Sequence, residues 1–137
     1  MCYNYTVIHL KIPNMINATE IAFTIIPVSS IGKGRQFYEG VLGLKTTSVF
    51  EKGDMGFVEY DIGAGTLAIG CGAPLFKPAK EGGAIALEVA DFDAAISNLN
   101  AAACTFAMEA QETPVCRMAV IKDPDGNMLM IHKRKKA

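Results

Sequence analysis

Only two histidines occur in the 137 residues, and one of them, His132, stands where it could do chemistry. Met128, Met130 and His132 alternate along a β-like run, so the three share one face of a strand and His132 ends an apolar row. An imidazole there can act as a general base or donate a hydrogen bond to a ligand. The plainer reading is a rim histidine beside the basic run Lys133, Arg134, Lys135 and Lys136. Glu59 keeps step with Phe57 and Asp61 in a second β-like run, and Glu88 with Ala84 and Ala86 in a third. Facing a cleft, either carboxylate would bind a cationic ligand or take a proton. Facing water, either is an ordinary surface charge, the less costly arrangement for an unpaired carboxylate. Cys116 beside Arg117 suggests a thiolate held by a guanidinium. Neighbouring strand residues point to opposite faces, however, so Cys116 is read as packing and Arg117 as a salt-bridge or ligand contact.

Other chemistries fail on spacing. Cys2, Cys71, Cys104 and Cys116 lie far apart with no CxxC pair, so they make neither a zinc site nor a disulfide scaffold and are read as reduced and structural. His9 falls in the first 19 residues and is read as exposed. Asp123-Pro124-Asp125-Gly126-Asn127 resembles a calcium loop at first sight, but its glycine is misplaced and Arg134 takes the twelfth position, where a bidentate glutamate is required. It is a tight turn instead. Thirteen Lys and Arg against fourteen Asp and Glu give a net charge of −1, which draws no nucleic acid, and the short basic end is read as solvated. A hydrophobic share of 50% argues against disorder. No apolar run approaches the ~18–20 residues that span a bilayer. The start of the chain lacks the pattern of a secretory signal, so no membrane contact and a cytoplasmic location are expected.

The elements that must hold these residues come in a repeated order. Residues 1–19 contain a β-like run, Tyr5–Ile12, broken by Pro13, and are read as an extension ahead of the domain. From Ile21 to Val28 a strand is expected, then a helix capped by Ser29 or Ser30, with the pairs Phe37/Val41 and Tyr38/Leu42 on its buried side and Gly43 as its stop. Strands follow at Lys45–Glu51, Met55–Ile62 and Thr66–Cys71. After a linker, Pro74–Gly83, the order starts again: a strand at Ala84–Val89, a helix capped by Asp91 or Asp93 with Ala95, Ile96, Leu99 and Ala102 inward, and strands at Thr105–Glu109, Val115–Lys122 and Met128–His132. Val28 maps to Val89 and Gly65 to Gly126, a repeat of about 61 residues. The expected fold class is α+β: two β-α-β-β-β modules, 20–72 and 83–133, forming one curved mixed sheet within a single domain, 20–133, and followed by a basic tail, 134–137. Each module leaves one apolar face that a second copy can cover, and a small ligand would sit in the hollow between them.

The segment Phe37-Tyr38-Glu39-Gly40-Val41-Leu42-Gly43-Leu44, together with the turn 123–127 before the last strand, resembles the vicinal oxygen chelate superfamily, which includes glyoxalase I, bleomycin-resistance proteins and extradiol dioxygenases. The resemblance covers roughly residues 20–133. It implies that catalytic members carry His, Gln or Glu at matched points on the first and fourth strands of each module, where they hold a metal ion. In this chain those points fall on Phe23, on Ala84, on Met130 and near Ala68 or Ile69. None offers a donor suited to a hard or borderline divalent ion.

No metal and no cofactor are therefore expected, and the leading reading is a metal-free small-molecule binding protein with an apolar cleft. Its ligand-binding residues would be Phe23, Phe57, Glu59, Ala84, Arg117, Met128, Met130 and His132. The alternatives are an enzyme, either a glyoxalase-like lyase or isomerase or a dioxygenase, with His132 or Glu59 as the candidate catalytic group, and a ligand-free dimeric interaction module. The seven methionines suit an adaptable pocket and ordinary core filling equally well. The resemblance, and the apolar edges two modules would leave, imply a homodimer.

Overall fold

The computed structural model describes residue 17 and residues 20–73, 76–79 and 84–136. The β-like run at Tyr5–Ile12 and His9 lie outside the described residues. Module 1 comprises β1 (Thr24–Pro27), α1 (Ile31–Arg35) continuing into a π-helical segment (Gln36–Val41), β2 (Thr46–Lys52), β3 (Met55–Ile62) and β4 (Gly65–Cys71). Module 2 repeats it with β5 (Ala84–Glu88), α2 (Phe92–Ala101), β6 (Thr105–Glu112), β7 (Cys116–Lys122) and β8 (Met128–Arg134). The expected pair of β-α-β-β-β modules is present. The strands form two four-stranded mixed sheets, ordered β1-β4-β3-β2 and β5-β8-β7-β6, and in each the first and last strands of the module run parallel while the others are antiparallel.

Local chemistry explains both helix starts. Ser30 accepts a hydrogen bond from the Lys33 amide at 3.3 Å and Asp91 one from the Ala94 amide at 3.0 Å, each satisfying a first-turn N–H. Gly43, at φ +72°, ends the first helical run as its residue type requires. The winding between differs from the expected i,i+4 pairing: the Leu42 amide donates to the Phe37 carbonyl, five residues back. A wider turn rotates adjacent side chains through a smaller angle, which allows the consecutive Phe37 and Tyr38 both to be buried against the sheet. In α2 the inward stripe is anchored by Phe92 and Leu99, with Ala95 and Ile96 half-buried and Ala102 exposed.

One continuous core runs under both modules. It joins Ile26, Val28, Val58, Tyr60 and Ile69 of module 1 to Phe92, Ala119, Ile121, Leu129 and Ile131 of module 2. Alternation then fixes the other side of each sheet, the open face turned away from this core.

A polar bracket holds the first helix onto β3. Arg35 donates from Nε and Nη2 to Glu39 at 2.6 and 3.1 Å, and the buried Tyr60 hydroxyl donates to the same carboxylate at 3.1 Å. The Arg35 hydrogen bond holds the Glu39 carboxyl below its usual range. A carboxyl depressed on folding stabilises fully above its unfolded pKa of about 4.3, and that contribution is lost as pH falls through the lower folded value. Glu39→Gln is accordingly expected to melt earlier than the parent at pH 7, with the gap closing on acidification. Melting curves at several pH values check this; a gap independent of pH would refute it.

Candidate functional site

The open face of module 2 has a centre of sulfur and hydrocarbon, with His132 and Glu88 at one end and Lys122, opposite Met128, at the other. Leu129 and Ile131 of β8 point into the core, so Met128, Met130 and His132 point the other way, each half-buried. In register, Met130 lies between Val120 of β7 and Ala86 of β5, and His132 between Met118 and Glu88. On module 1 the same face carries Phe57 and Glu59 of β3, whose partners on β4 are Gly70 and Ala68, and Ala68 is flanked in turn by Ile25 of β1. Phe23 stands one residue before β1, 41% exposed, with its ring edge-on to that of Phe57 at 5.5 Å between centroids. Between β1 and β5 lies a cleft of about 190 Å³ lined by Ile25, Pro27, Ala84 and Ile85, with Lys77 of the linker beside it. A larger hollow of about 670 Å³ opens at another place, beside Ser30, Glu51 and Asp54. Its wall carries none of the expected ligand-contacting residues, so size does not make it the better candidate.

His132 and Glu88 form a dyad across β8 and β5. The ring Nδ1 lies 2.5 Å from Glu88 Oε1, while Oε2 accepts the Arg134 amide at 2.8 Å. That amide first, and the imidazole second, hold the Glu88 carboxyl below its usual range. An ionised carboxylate only accepts, so Nδ1 carries the proton and Nε2 is left as the working nitrogen. Such an arrangement orients the imidazole and suits it to accept a proton or bind a ligand hydroxyl.

The register also aligns the two modules residue by residue. Ile25 pairs with Ala68 as Ala86 pairs with Met130, so Ala68 is the counterpart of Met130, whereas Ile69 lies in the core opposite Ile26. Phe23 likewise corresponds to Ala84. The four positions that the resemblance assigns to a metal cage are thus two alanines, a phenylalanine and a thioether. Among the described residues no three His, Cys, Asp or Glu side chains come together to hold an ion. A dication there would lose its hydration with no anionic or imidazole set to replace it, so these residues do not fit one. A family model describing the glyoxalase/bleomycin resistance protein/dioxygenase superfamily matches residues 20–131.

The chain belongs to that superfamily. Among solved structures it is similar to TnmS3, an antibiotic binding protein from Streptomyces sp. CB03234, with 20% identity, a TM-score of 0.74 and coverage of 88% of this chain and 100% of that one. A glyoxalase/bleomycin resistance protein from the same organism gives 23% identity and a TM-score of 0.68 over 82% and 98% of the two chains. A superfamily member from Sphaerobacter thermophilus DSM 20745 gives 25% identity and a TM-score of 0.68 over 85% and 98%. A comparison with curated proteins returned no match.

Within this superfamily fold, seven of the eight expected ligand-contacting residues, Phe23, Phe57, Glu59, Ala84, Met128, Met130 and His132, stand on or beside the open faces. Arg117 does not. It sits on the helix side of β7, donating to Asp93 at 2.8 Å with its guanidinium 4.5 Å above the Phe92 ring. A cation engaged by a carboxylate and an aromatic face beneath α2 is a structural tie, so Arg117 leaves the candidate site. Cys116 is buried against the Thr113 hydroxyl at 3.3 Å, and burial pushes the Cys104 thiol up, which leaves that thiol protonated and inert. Sequence reasoning missed Phe76, a linker residue whose ring lies 5.8 Å from that of Phe57. It also weighed Glu88 and His132 apart, whereas the parallel register of β5 and β8 places them side by side.

Proposed function

We propose that this superfamily member binds an apolar small molecule on the open faces and does so without a divalent metal. One observation carries the reading: Phe23, Ala68, Ala84 and Met130, the residues at the positions that the resemblance assigns to a catalytic cage, offer no donor suited to a divalent ion. Methionines 118, 128 and 130 with Val120 offer a polarisable floor that adapts to ligand shape, and His132, oriented by Glu88, supplies a directional polar contact. TnmS3, similar in fold, is an antibiotic binding protein, which favours sequestration over turnover. A cleft of about 190 Å³ is smaller than the roughly 300–1,000 Å³ of common ligand sites. Exposed Val49 and Phe50 on β2 add apolar surface. Both features support a homodimer in which a second copy completes the cleft. Free thiols at Cys71, Cys104 and Cys116 suit the cytoplasm, and no helix of the described residues is long and apolar enough to cross a membrane.

Elemental analysis and a thermal-shift screen of apolar compounds test this together. Expected are no stoichiometric zinc, nickel, manganese or iron, and ligands that stabilise the fold by about 2.7 kcal/mol at a hundredfold excess over Kd. A tightly held ion at these positions, or a screen without a single binder, would overturn the proposal. The His132–Glu88 contact supports a second reading, metal-independent proton transfer by Nε2. Under it, His132→Gln abolishes turnover of a bound compound while leaving its affinity within a few-fold. A dimer in sedimentation that binds nothing would favour the interaction-module reading instead.

A further inference from the structure

Module 1 carries a carboxylate on the same strand face as an aromatic corner. Phe57 and Glu59 point to the same face from β3, and the β4 residues opposite them, Gly70 and Ala68, are the smallest available. Small size matters here. A Cβ on Gly70 would come within 2.9 Å of the Phe76 ring, so that ring rests directly on the strand backbone. The rings then line up: Phe76 tilts by 30° against Phe57 at 5.8 Å, and Phe23 meets Phe57 edge-on at 73° and 5.5 Å. Glu59, two residues on from Phe57 and on the same face, is half-buried. Among the described residues its carboxylate joins no ion pair, and Lys77, the described linker cation, does not bridge to it.

These features have one common complement. A half-buried carboxylate gains most from a positive partner, and aromatic faces attract cations through their quadrupole. Carbon-rich walls exclude a hydrated metal ion, and one carboxylate is too few ligands for a dication. We infer that this corner takes the cationic end of an apolar ligand, an alkyl- or aryl-ammonium group seated against the rings of Phe23, Phe57 and Phe76 with its charge facing Glu59. The inference rests on the binding reading above and narrows its ligand class. It assigns the charged end to module 1 and leaves the apolar body to the methionine floor.

Titration of the full chain with benzyltrimethylammonium and with its uncharged carbon analogue neopentylbenzene, followed by NMR shifts, separates the two claims. The cation is expected to bind about tenfold more tightly than the neutral analogue. Its affinity should fall with added salt while the analogue's does not. Glu59→Gln should remove the cation's advantage and leave the analogue unaffected, and Phe57→Leu should weaken both. The salt comparison needs no variant and decides the matter even where a substitution perturbs folding. Equal affinities insensitive to salt would overturn the cationic assignment while the apolar cleft stands. Failure of both probes to bind would remove the cleft and this inference together.

Discussion

Asp123→Ala is expected to lower the unfolding free energy by on the order of 4 kcal/mol, a large loss for a single polar residue. Asp123 and Asn127, 5% and 4% exposed, are the buried polar residues among those described. The Asp123 carboxylate accepts four hydrogen bonds: from the Asp125 amide at 2.9 Å, the Asn127 amide at 2.8 Å, Asn127 Nδ2 at 2.7 Å and the Tyr38 hydroxyl at 3.0 Å. Alanine would strand the Tyr38 hydroxyl and part of the Asn127 amide without water, each at about 1–3 kcal/mol. Burial, then the neighbouring Asp123 charge, pushes the Tyr38 phenol pKa up, so it stays a donor across the accessible pH range. Tyr38→Phe removes one donor and leaves the rest satisfied, so about 1 kcal/mol is expected there. Urea unfolding with an unchanged m-value measures both. A loss below about 1 kcal/mol for Asp123→Ala would mean the turn is not held as the contacts indicate.

The same loop ties the two modules. Asn127 Nδ2 donates to the Pro27 carbonyl at 2.9 Å, and the Ser29 amide donates to Asp125 Oδ2 at 3.0 Å. Tyr38 therefore reaches from the first helix into the turn before β8, while its ring stacks on that of Tyr60 at 6.3 Å. The segment 123–127 is thus a turn by its backbone and an inter-module lock by its side chains.

Legibility in the sequence divides along the range of the interactions. Strand faces follow from alternation within a few residues, so the residue order by itself puts Met128, Met130 and His132 on one side and Leu129 and Ile131 on the other. Caps are local too, and the polar residues ahead of each helix include the two that cap it, Ser30 and Asp91. The π-helical winding is not legible, because Phe37–Leu44 fits an ordinary helix and the wider turn answers to burial of Phe37 and Tyr38 against a sheet formed later in the chain. The lock is hidden for the same reason: Asp125 and Asn127 meet partners 96 and 100 residues away. Arg117 shows the limit of alternation, which places it opposite Cys116 and Met118 correctly but cannot say that α2 brings Asp93 and Phe92 over it. The four cage positions come from the family resemblance rather than from the repeat, which only relates Phe23 to Ala84, and the choice between Ala68 and Ile69 needs the ladder.

Gly56→Ala is the second large effect, expected to cost about 3 kcal/mol, at the upper end of overpacking. Gly56 opens β3 on the core side, and a Cβ built there lies 2.1 Å from Ile31 Cγ1, 2.9 Å from its Cδ1 and 3.2 Å from its Cβ. A rotamer change could move the first two contacts but not the third, so the start of α1 must lift. Removing the obstructing atoms relieves the clash. The double variant Ile31→Ala with Gly56→Ala should therefore lose less than the sum of the two single variants, with a coupling of about 2 kcal/mol, and additivity within about 0.5 kcal/mol would refute the packing argument. The consequence extends to the site, because Phe57 follows Gly56 and points to the opposite face. A strand displaced on its core side carries the Phe57 ring with it, so Gly56→Ala should also weaken binding of benzyltrimethylammonium, and the relieving Ile31→Ala substitution should restore it.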